Sequence, residues 1–241
     1  MINFMKKKIS RNEIIAALVA ARKNSKGIKN KNLITIKKKT IFNIALDLAY
    51  KNKTIDVAIL SSDSKKILNK AKKNKKLFLI NRSSNLSLDN TPMLPVMQNA
   101  VNLLEKKLKK KIKFMIILDP TSPFRSKKNI EEGIKRFKNK KLDLLVSVNK
   151  ADHNPYFSIL EKYGKFYNLS KGINLNLGSR QVAKQVYNVN TVIWIYSRKA
   201  IMLIKKRIPK KTDIFLTSNK RSLELNSLND FKKLKNQLKK R

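Results

Sequence analysis

Along the chain, short runs of consecutive apolar residues alternate with longer segments whose apolar positions recur every three or four residues. This is the pattern of sheet strands interleaved with amphipathic helices. Residues 14–19 (Ile-Ile-Ala-Ala-Leu-Val) predict a buried first strand, followed by a polar loop from Arg22 to Asn32. Thr40 is placed to cap a helix with Ile41, Ile44, Ala45 and Leu48 on one face. Residues 57–60 predict a second strand, after which Ser64 can cap another helix, and 77–80 a short third. Thr91-Pro92 reads as a helix start, with Thr91 as cap and Pro92 as first helical residue, leading to the stripe Val96, Ala100, Leu103 and Leu104.

Residues 114–118 are the most strand-like run, broken by Asp119-Pro120-Thr121-Ser122-Pro123, where two prolines exclude a helix interior and a central strand alike. Ser126 then caps a helix carrying Ile130, Ile134 and Phe137, and 142–148 is another strand. The regularity fails over 151–185, which reads as an excursion from the sheet, such as a hairpin arm. Residues 192–196 return as a strand, Ser197 caps a short helix, and a Lys-rich amphipathic helix begins near Asn229. The alternation predicts an α/β fold, a mainly parallel sheet with helices on both faces. Residues 1–12 form a basic extension and 13–241 a single domain.

Charge complicates this picture. The formal net charge is +42, a value that first suggests a nucleic-acid partner. Of the 57 basic residues, however, 47 are Lys, they cover every predicted surface helix, and no aromatic residues interleave with them to stack bases. A solvated, Lys-rich surface is the better reading, and a specific nucleic-acid partner is not expected. The chain has no cysteine, which removes disulfides and thiolate metal sites. No apolar run is long enough to cross a bilayer, and 1–11 lack the apolar core of a signal peptide, so a cytoplasmic protein without a membrane partner is the expectation.

In an open α/β sheet, ligands bind beyond the carboxyl ends of the strands, where the strand order reverses. The first polar cluster at such an end is Arg22-Lys23-Asn24-Ser25-Lys26-Gly27, running on to Lys31-Asn32. A loop of this kind can aim backbone N–H groups and cations at phosphates; equally, it can be an ordinary basic loop. It is neither a Walker A sequence nor a dinucleotide fingerprint, having a single glycine.

Five motifs in order make this chain similar to the acylneuraminate cytidylyltransferases, the enzymes that make CMP-sialate and CMP-legionaminate. They are Ala21-Arg22-x-Asn24-Ser25-Lys26-Gly27 with Lys31-Asn32; Arg82 with the segment 89–95; Asp119-Pro120-Thr121-Ser122-Pro123-Phe124-Arg125; Arg180-Gln181 with Val186-Tyr187 and Asn190; and Arg221-Ser222-Leu223-Glu224-Leu225-Asn226. The likeness spans about residues 13–235. It implies a Rossmann-like nucleotide-diphospho-sugar transferase fold and a homodimer, with part of 151–185 reaching the partner's site. It implies transfer of CMP from CTP to an acidic nine-carbon sugar, with pyrophosphate released and Mg²⁺ as cofactor. Arg22, Ser25 and Lys31 would hold the triphosphate, Arg22 and Lys31 serving catalysis. Asn24, Lys26 and Asn32 would complete the loop, and Arg82 would help bind the nucleotide. Arg180, Asn190, Trp194 and Asp119 would face the sugar, and the fork of Arg180 matches its carboxylate.

Four positions depart from the family pattern. The paired aspartates near the C-terminus are Glu224 and Asn226, so one of two anionic metal ligands becomes a neutral amide. Asp119 stands where many members have Gln; it is either a helper near metal or sugar, or a turn residue capping Pro120-Thr121. Trp194 stands where sialate-specific members have Tyr. His153, the single histidine, suits a structural or pocket-lining role better than that of a base. Alternatives are a cytidylyltransferase for another acidic keto-sugar, a non-catalytic homologue, and a basic nucleic-acid-binding protein.

Overall fold

The strands, in chain order, are β1 (Glu13–Ala20), β2 (Thr35–Ile36), β3 (Lys39–Thr40), β4 (Val57–Ser62), β5 (Leu77–Asn81), β6 (Lys111–Ile117), β7 (Leu144–Lys150), β8 (Leu160–Tyr163), β9 (Phe166–Leu169), β10 (Tyr187–Ser197) and β11 (Thr212–Leu216). The helices are α1 (Ile41–Lys51), α2 (Lys65–Asn69), α3 (Met93–Leu108), α4 (Lys127–Asn139) and α5 (Leu228–Lys239). This computed structural model describes residues 12–25, 27–151, 153–155, 159–169, 184–218 and 222–239.

Seven strands form one sheet in the order β11-β7-β10-β6-β1-β4-β5. Every pairing is parallel except those of β10, which runs antiparallel between β6 and β7. From β1 the chain builds outward through β4 and β5, then returns to the other side of β1 with β6. The strand order therefore reverses between β1 and β6, and the segments leaving their carboxyl ends diverge to open a cleft.

Strand β1 supplies both cores. Ile15, Ala17 and Val19 face one side with α1, α2 and α4, through Phe42, Leu46, Ile67, Ile130, Ile134 and Phe137. Ile14, Ala16 and Leu18 face the other with α3, through Val96, Met97, Ala100, Val101 and Leu104. A strand buried on both faces reads as a continuous apolar run, and this is why β1 shows no alternation. A smaller third cluster joins Ile36, Ile41 and Phe124 to Leu225 and Leu234, tying the C-terminal segment to the start of the chain.

Helix starts follow local chemistry, with two corrections. Ser64 accepts from Ile67 N, and Ser126 forms a capping box with Asn129. Ser197 Oγ accepts from Ala200 N at 3.0 Å, ahead of a π-helical turn over Ala200–Ile204. Thr40 precedes α1 but its side chain caps nothing; Oγ1 accepts from the Asn43 side chain at 2.8 Å. Pro92 is the cap residue of α3, not its first helical residue, because its ψ of 158° is extended. Thr91 instead donates to Asn85 O at 3.1 Å, and Pro95 takes the third helical position, where no intrahelical donor is needed.

The 151–185 excursion does contain a hairpin, β8–β9, closed at Gly164 with φ +61°. Two strand pairings went unforeseen. The hairpin β2–β3 turns through Lys37 and Lys38, both with positive φ (47° and 64°), a backbone usually signalled by Asn or Gly. Strand β11 sits at the sheet edge, where Arg136 Nε of α4 and Nζ of its C-cap residue Lys140 reach Asp213 at 2.7 and 2.8 Å.

Candidate active site

The loop after β1 is folded back by its own polar groups. Ala21 N donates to Ser61 O, Asn32 Nδ2 to Arg22 O at 2.8 Å, and Lys23 N to Asp63 Oδ1 at 2.7 Å. Gly27 meets the C-terminal segment so closely that a Cβ there would lie 2.0 Å from Asn226 O. Lys31 Nζ reaches Asn226 Oδ1 at 3.5 Å from the same loop. These contacts bring residues almost two hundred positions apart into one wall.

Opposite stands the segment after β5. Arg82 is buried, donating through Nε to Ser87 Oγ at 3.0 Å with Nη2 3.9 Å from Asp63. Arg22 Nη1 crosses to Asp89 Oδ1 at 2.6 Å. The cleft between has a volume of about 420 Å³; Arg22, Ser25, Lys31, Asn32, Arg82 and Asp119 are among its lining residues, and Asn226 closes one side. Burial lowers the pKa of Lys31, partly offset by Asp119, and the nearby Arg22 cation lowers it further; burial likewise lowers that of Arg82. Desolvated cations of this kind are poised for an anionic ligand, because a phosphate restores the interactions that water provided.

The floor is the break after β6. Asp119 Oδ1 accepts from Thr121 N and Thr121 Oγ1 at 2.9 and 2.8 Å, so the turn-capping role holds. Asp119 also lines the cleft and a second pocket, and is therefore placed for ligand contact as well. The pairing of β10 with β7 shifts register between Val189 and Trp194, a bulge that frees backbone groups next to this turn. Side chains take over the missing ladder bonds. Thr191 N donates to Glu224 Oε1 at 2.7 Å, and Ile193 N to Ser147 Oγ at 2.9 Å. Arg125 donates through Nε to Val192 O (2.6 Å) and through Nη2 to Thr191 O (2.9 Å) and Asp119 O (2.7 Å). Arg125 is fully buried, and desolvation drops its pKa to about 10, still a cation at neutral pH. The sequence shows Arg125 only as a motif residue; its office is to lock the Asp119 turn to the bulge.

The remaining predicted site residues divide as follows. Asn190 is buried, its Nδ2 donating to Asn149 Oδ1 and Thr217 Oγ1 and its Oδ1 accepting from Val192 N, so its amide is turned inward. Trp194 lines the second pocket. Glu224 and Asn226 do come together: Asn226 Nδ2 donates to Glu224 Oε2 at 3.1 Å. Asn24 is exposed and does not line the cleft, and His153 is exposed and lines none of the pockets described. Lys26, Arg180 and Arg221 lie outside the described residues.

Among the described residues, no group of three His, Cys, Asp or Glu is arranged to hold a metal. Asp119 lines the cleft, and Glu224, which lines the adjoining pocket with Asn226, acts with it on the charge of Lys31. Mg²⁺ usually takes one or two carboxylates and completes its octahedron with phosphate oxygens and water. The donor set fits a Mg²⁺ that arrives with a polyphosphate, and does not form a cage of its own.

Comparison with known proteins decides the family: a model described as cytidylyltransferase matches residues 16–234. The chain belongs to the cytidylyltransferase family. It is thus a nucleotidyltransferase, and two of its relatives are similar along most of their length. Post-translational flagellin modification protein B of Campylobacter coli is 28% identical over 219 residues, 90% of this chain and 92% of the relative. CMP-N,N'-diacetyllegionaminic acid synthase of Campylobacter jejuni is 29% identical over the same shares. The N-acylneuraminate cytidylyltransferase of Escherichia coli is 24% identical over 80% of this chain and 42% of its own. Among solved structures, CMP:2-keto-3-deoxy-manno-octonic acid synthetase complexed with CTP superposes with a TM-score of 0.65 at 10% identity, covering 94% of this chain and 99% of the other. The 4-diphosphocytidyl-2C-methyl-D-erythritol synthase of Anaerococcus prevotii gives 0.62 at 14% identity, covering 95% and 97%. This cytidylyltransferase therefore shares the α/β nucleotidyltransferase fold, and its cationic cleft lies at the strand-order reversal where that fold binds ligands. No helix among the described residues is long and apolar enough to cross a membrane.

Proposed function

We propose that this cytidylyltransferase activates a sialic-acid-like, nine-carbon keto-sugar acid with CTP, giving the CMP-sugar and pyrophosphate. The observation that carries the reading is the junction at Asp119. There a cleft holding Arg22, Lys31 and Arg82 meets a second, largely apolar pocket walled by Trp194. The first suits a triphosphate and the second a sugar. The names of the relatives that act on legionaminic and acylneuraminic acids support the sugar class.

In this reading Lys31 and Arg22 hold the phosphates and neutralise charge as pyrophosphate departs, Arg22 exchanging Asp89 for the ligand. Arg82 and Ser25 fix the nucleotide, with Asn32 holding the loop in shape through Arg22 O. The sugar's anomeric hydroxyl forms the new bond to the α-phosphorus, the α–β phosphoanhydride bond breaks in line, and the hydroxyl proton passes to solvent. No covalent enzyme intermediate is needed, so alignment and charge neutralisation carry the catalysis. Mg²⁺ would be held by Glu224, with Asp119 and the Asn226 oxygen beside it, and when bound it withdraws charge from the phosphates. Arg180 is our assigned partner for the sugar carboxylate.

The deciding experiment supplies purified protein with CTP, Mg²⁺ and a panel of eight- and nine-carbon keto-sugar acids, following pyrophosphate and the CMP-sugar. Turnover confined to eight-carbon acids would move the assignment to another keto-sugar; CTP binding without turnover of any acid would point to a non-catalytic homologue. We also assign a homodimer in the cytoplasm. The hairpin β8–β9 leaves Phe166, next to its turn, 77% exposed, an apolar contact suited to a second copy. Phe166→Asp is expected to give a monomer by light scattering where the parent is a dimer, and two monomers would remove the assignment.

A further inference from the structure

The β10 bulge and the segment carrying Glu224 are joined through one side-chain amide. Asn149, near the end of β7, is buried, as is Asn190 on β10. Asn149 Nδ2 donates to Ser222 Oγ at 2.9 Å and to Thr217 O at 3.2 Å, while its Oδ1 accepts from Asn190 Nδ2. Asn190 in turn holds the bulge. Its Oδ1 accepts from Val192 N at 3.1 Å, and its carbonyl accepts from Ser147 Oγ at 3.1 Å and Trp194 Nε1 at 2.7 Å. Between these two limbs lies the bond from Thr191 N to Glu224 Oε1 at 2.7 Å. Thr191 directly follows Asn190, and Glu224 is separated from Ser222 by Leu223 alone. Leu225 N donates to Thr121 O at 2.9 Å and fixes the far side of Glu224. Donor and acceptor of the Glu224 bond are thus both anchored to Asn149.

We propose that Asn149 is a positioning residue for the phosphate end of the site: acting through Asn190 and Ser222, it holds the Glu224 carboxylate in the orientation that receives Mg²⁺ together with CTP. The inference rests on the reading that Glu224 meets the metal, and adds the residue that aims it. A glutamate side chain is rich in rotamers, and a hydrogen bond at its tip orders it only when the partner is itself held. Asn149 holds both sides of that bond with a short side chain, and its burial strengthens the bonds by keeping water from competing. The inward-turned amide of Asn190 belongs to this support. Groups that orient a metal ligand without touching the metal typically matter by about 10–100-fold in metal affinity. Nothing near Asn149 in the chain announces this role, because it lies outside the five motifs and 73 positions from Ser222.

The test measures CTP binding by calorimetry over a series of Mg²⁺ concentrations, in the parent protein and in Asn149→Ala, Ser222→Ala and Glu224→Ala. The expected result is that Asn149→Ala raises the Mg²⁺ concentration for half-maximal CTP binding by about tenfold, with the parent affinity recovered at saturating Mg²⁺. Ser222→Ala cuts one limb and should shift the curve in the same direction by less. It carries the test if Asn149→Ala does not fold. Trp194 is the single tryptophan of the chain and its indole bonds the Asn190 carbonyl. Its emission in the metal-free protein should therefore shift in Asn149→Ala and stay unchanged in Ser222→Ala, which leaves the Asn190 limb intact. Two outcomes overturn the positioning role while leaving Glu224 its metal. One is a loss of CTP affinity in Asn149→Ala that Mg²⁺ does not restore. The other is a parent-like curve in Asn149→Ala, or in Ser222→Ala where that variant stands in, while Glu224→Ala is shifted. A parent curve indifferent to Mg²⁺, or a Glu224→Ala curve matching the parent, removes both together.

Discussion

Gly27 lies against the carbonyl of Asn226 with no room for a side chain, and this single approach joins the loop after β1 to the C-terminal segment. Gly27→Ala would put a carbon 2.0 Å from backbone, which cannot yield as a side-chain end would. The variant is expected to part the two walls of the cleft and weaken CTP binding at least tenfold, read by calorimetry. Lys31 offers a second test through its lowered pKa, which burial causes. Its cation is present below that pKa and is lost as pH rises through it, sooner than for an ordinary lysine. CTP affinity should therefore fall on the alkaline side, and Lys31→Arg, which stays charged, should flatten that limb. Lys31→Ala should lower kcat/KM by about 100-fold, the usual cost of one transition-state donor. At these positions the residue types were legible from the motif, and their neighbours were not. Nothing local to Gly27 or Lys31 announces Asn226, and nothing near Arg125 announces the carbonyls of Thr191 and Val192.

Elements were legible where apolar residues are periodic. Helices α1, α3 and α4 and strands β1, β4, β5 and β6 follow directly from the pattern, because each buries a face or a run in the cores of the sheet, and α5 follows from the face it buries in the third cluster. Hairpin β2–β3 escaped because Lys37 and Lys38 occupy a turn normally marked by Asn-Gly. Strand β11 escaped because it is an edge strand anchored by charge: Arg136 grips Asp213 in a fork at 2.7 and 3.1 Å, and Lys140 adds a contact at 2.8 Å. Those cations, Arg136 first, hold the Asp213 carboxyl well below the usual range. Since folding lowers this pKa, the stabilisation is present above the ordinary aspartate value near ~3.9 and fades as pH falls below it. Asp213→Asn should cost about 1 kcal/mol at pH 7, with the difference from the parent shrinking in acid, followed by urea unfolding at several pH values.

For the molecule as a whole, the charge of +42 is both a strain and a constraint. Of its 15 acids, all but Asp152 lie among the described residues, and each of those has a hydrogen-bond, ion-pair or other electrostatic partner. The remaining lysines repel one another across the surface. Raising salt from low to physiological ionic strength should therefore raise Tm, by roughly 2–4 °C for each ~1 kcal/mol of repulsion screened. Nucleic-acid binding, if seen at low salt, should vanish over the same range. The linear order of residues was sufficient for the layers of the fold, because burial imposes its period on every helix and strand it uses. It was sufficient too for the chemistry at the carboxyl ends of β1 and β6, since cations and turn residues there have few other uses. It could not reveal which distant groups meet. The β10 bulge, the Glu224–Thr191 bond, the approach of Gly27 to Asn226 and the apolar pocket beside Asp119 exist only once β10 lies antiparallel between β6 and β7. Such contacts are pairwise and long-range, and no single stretch of chain carries both partners.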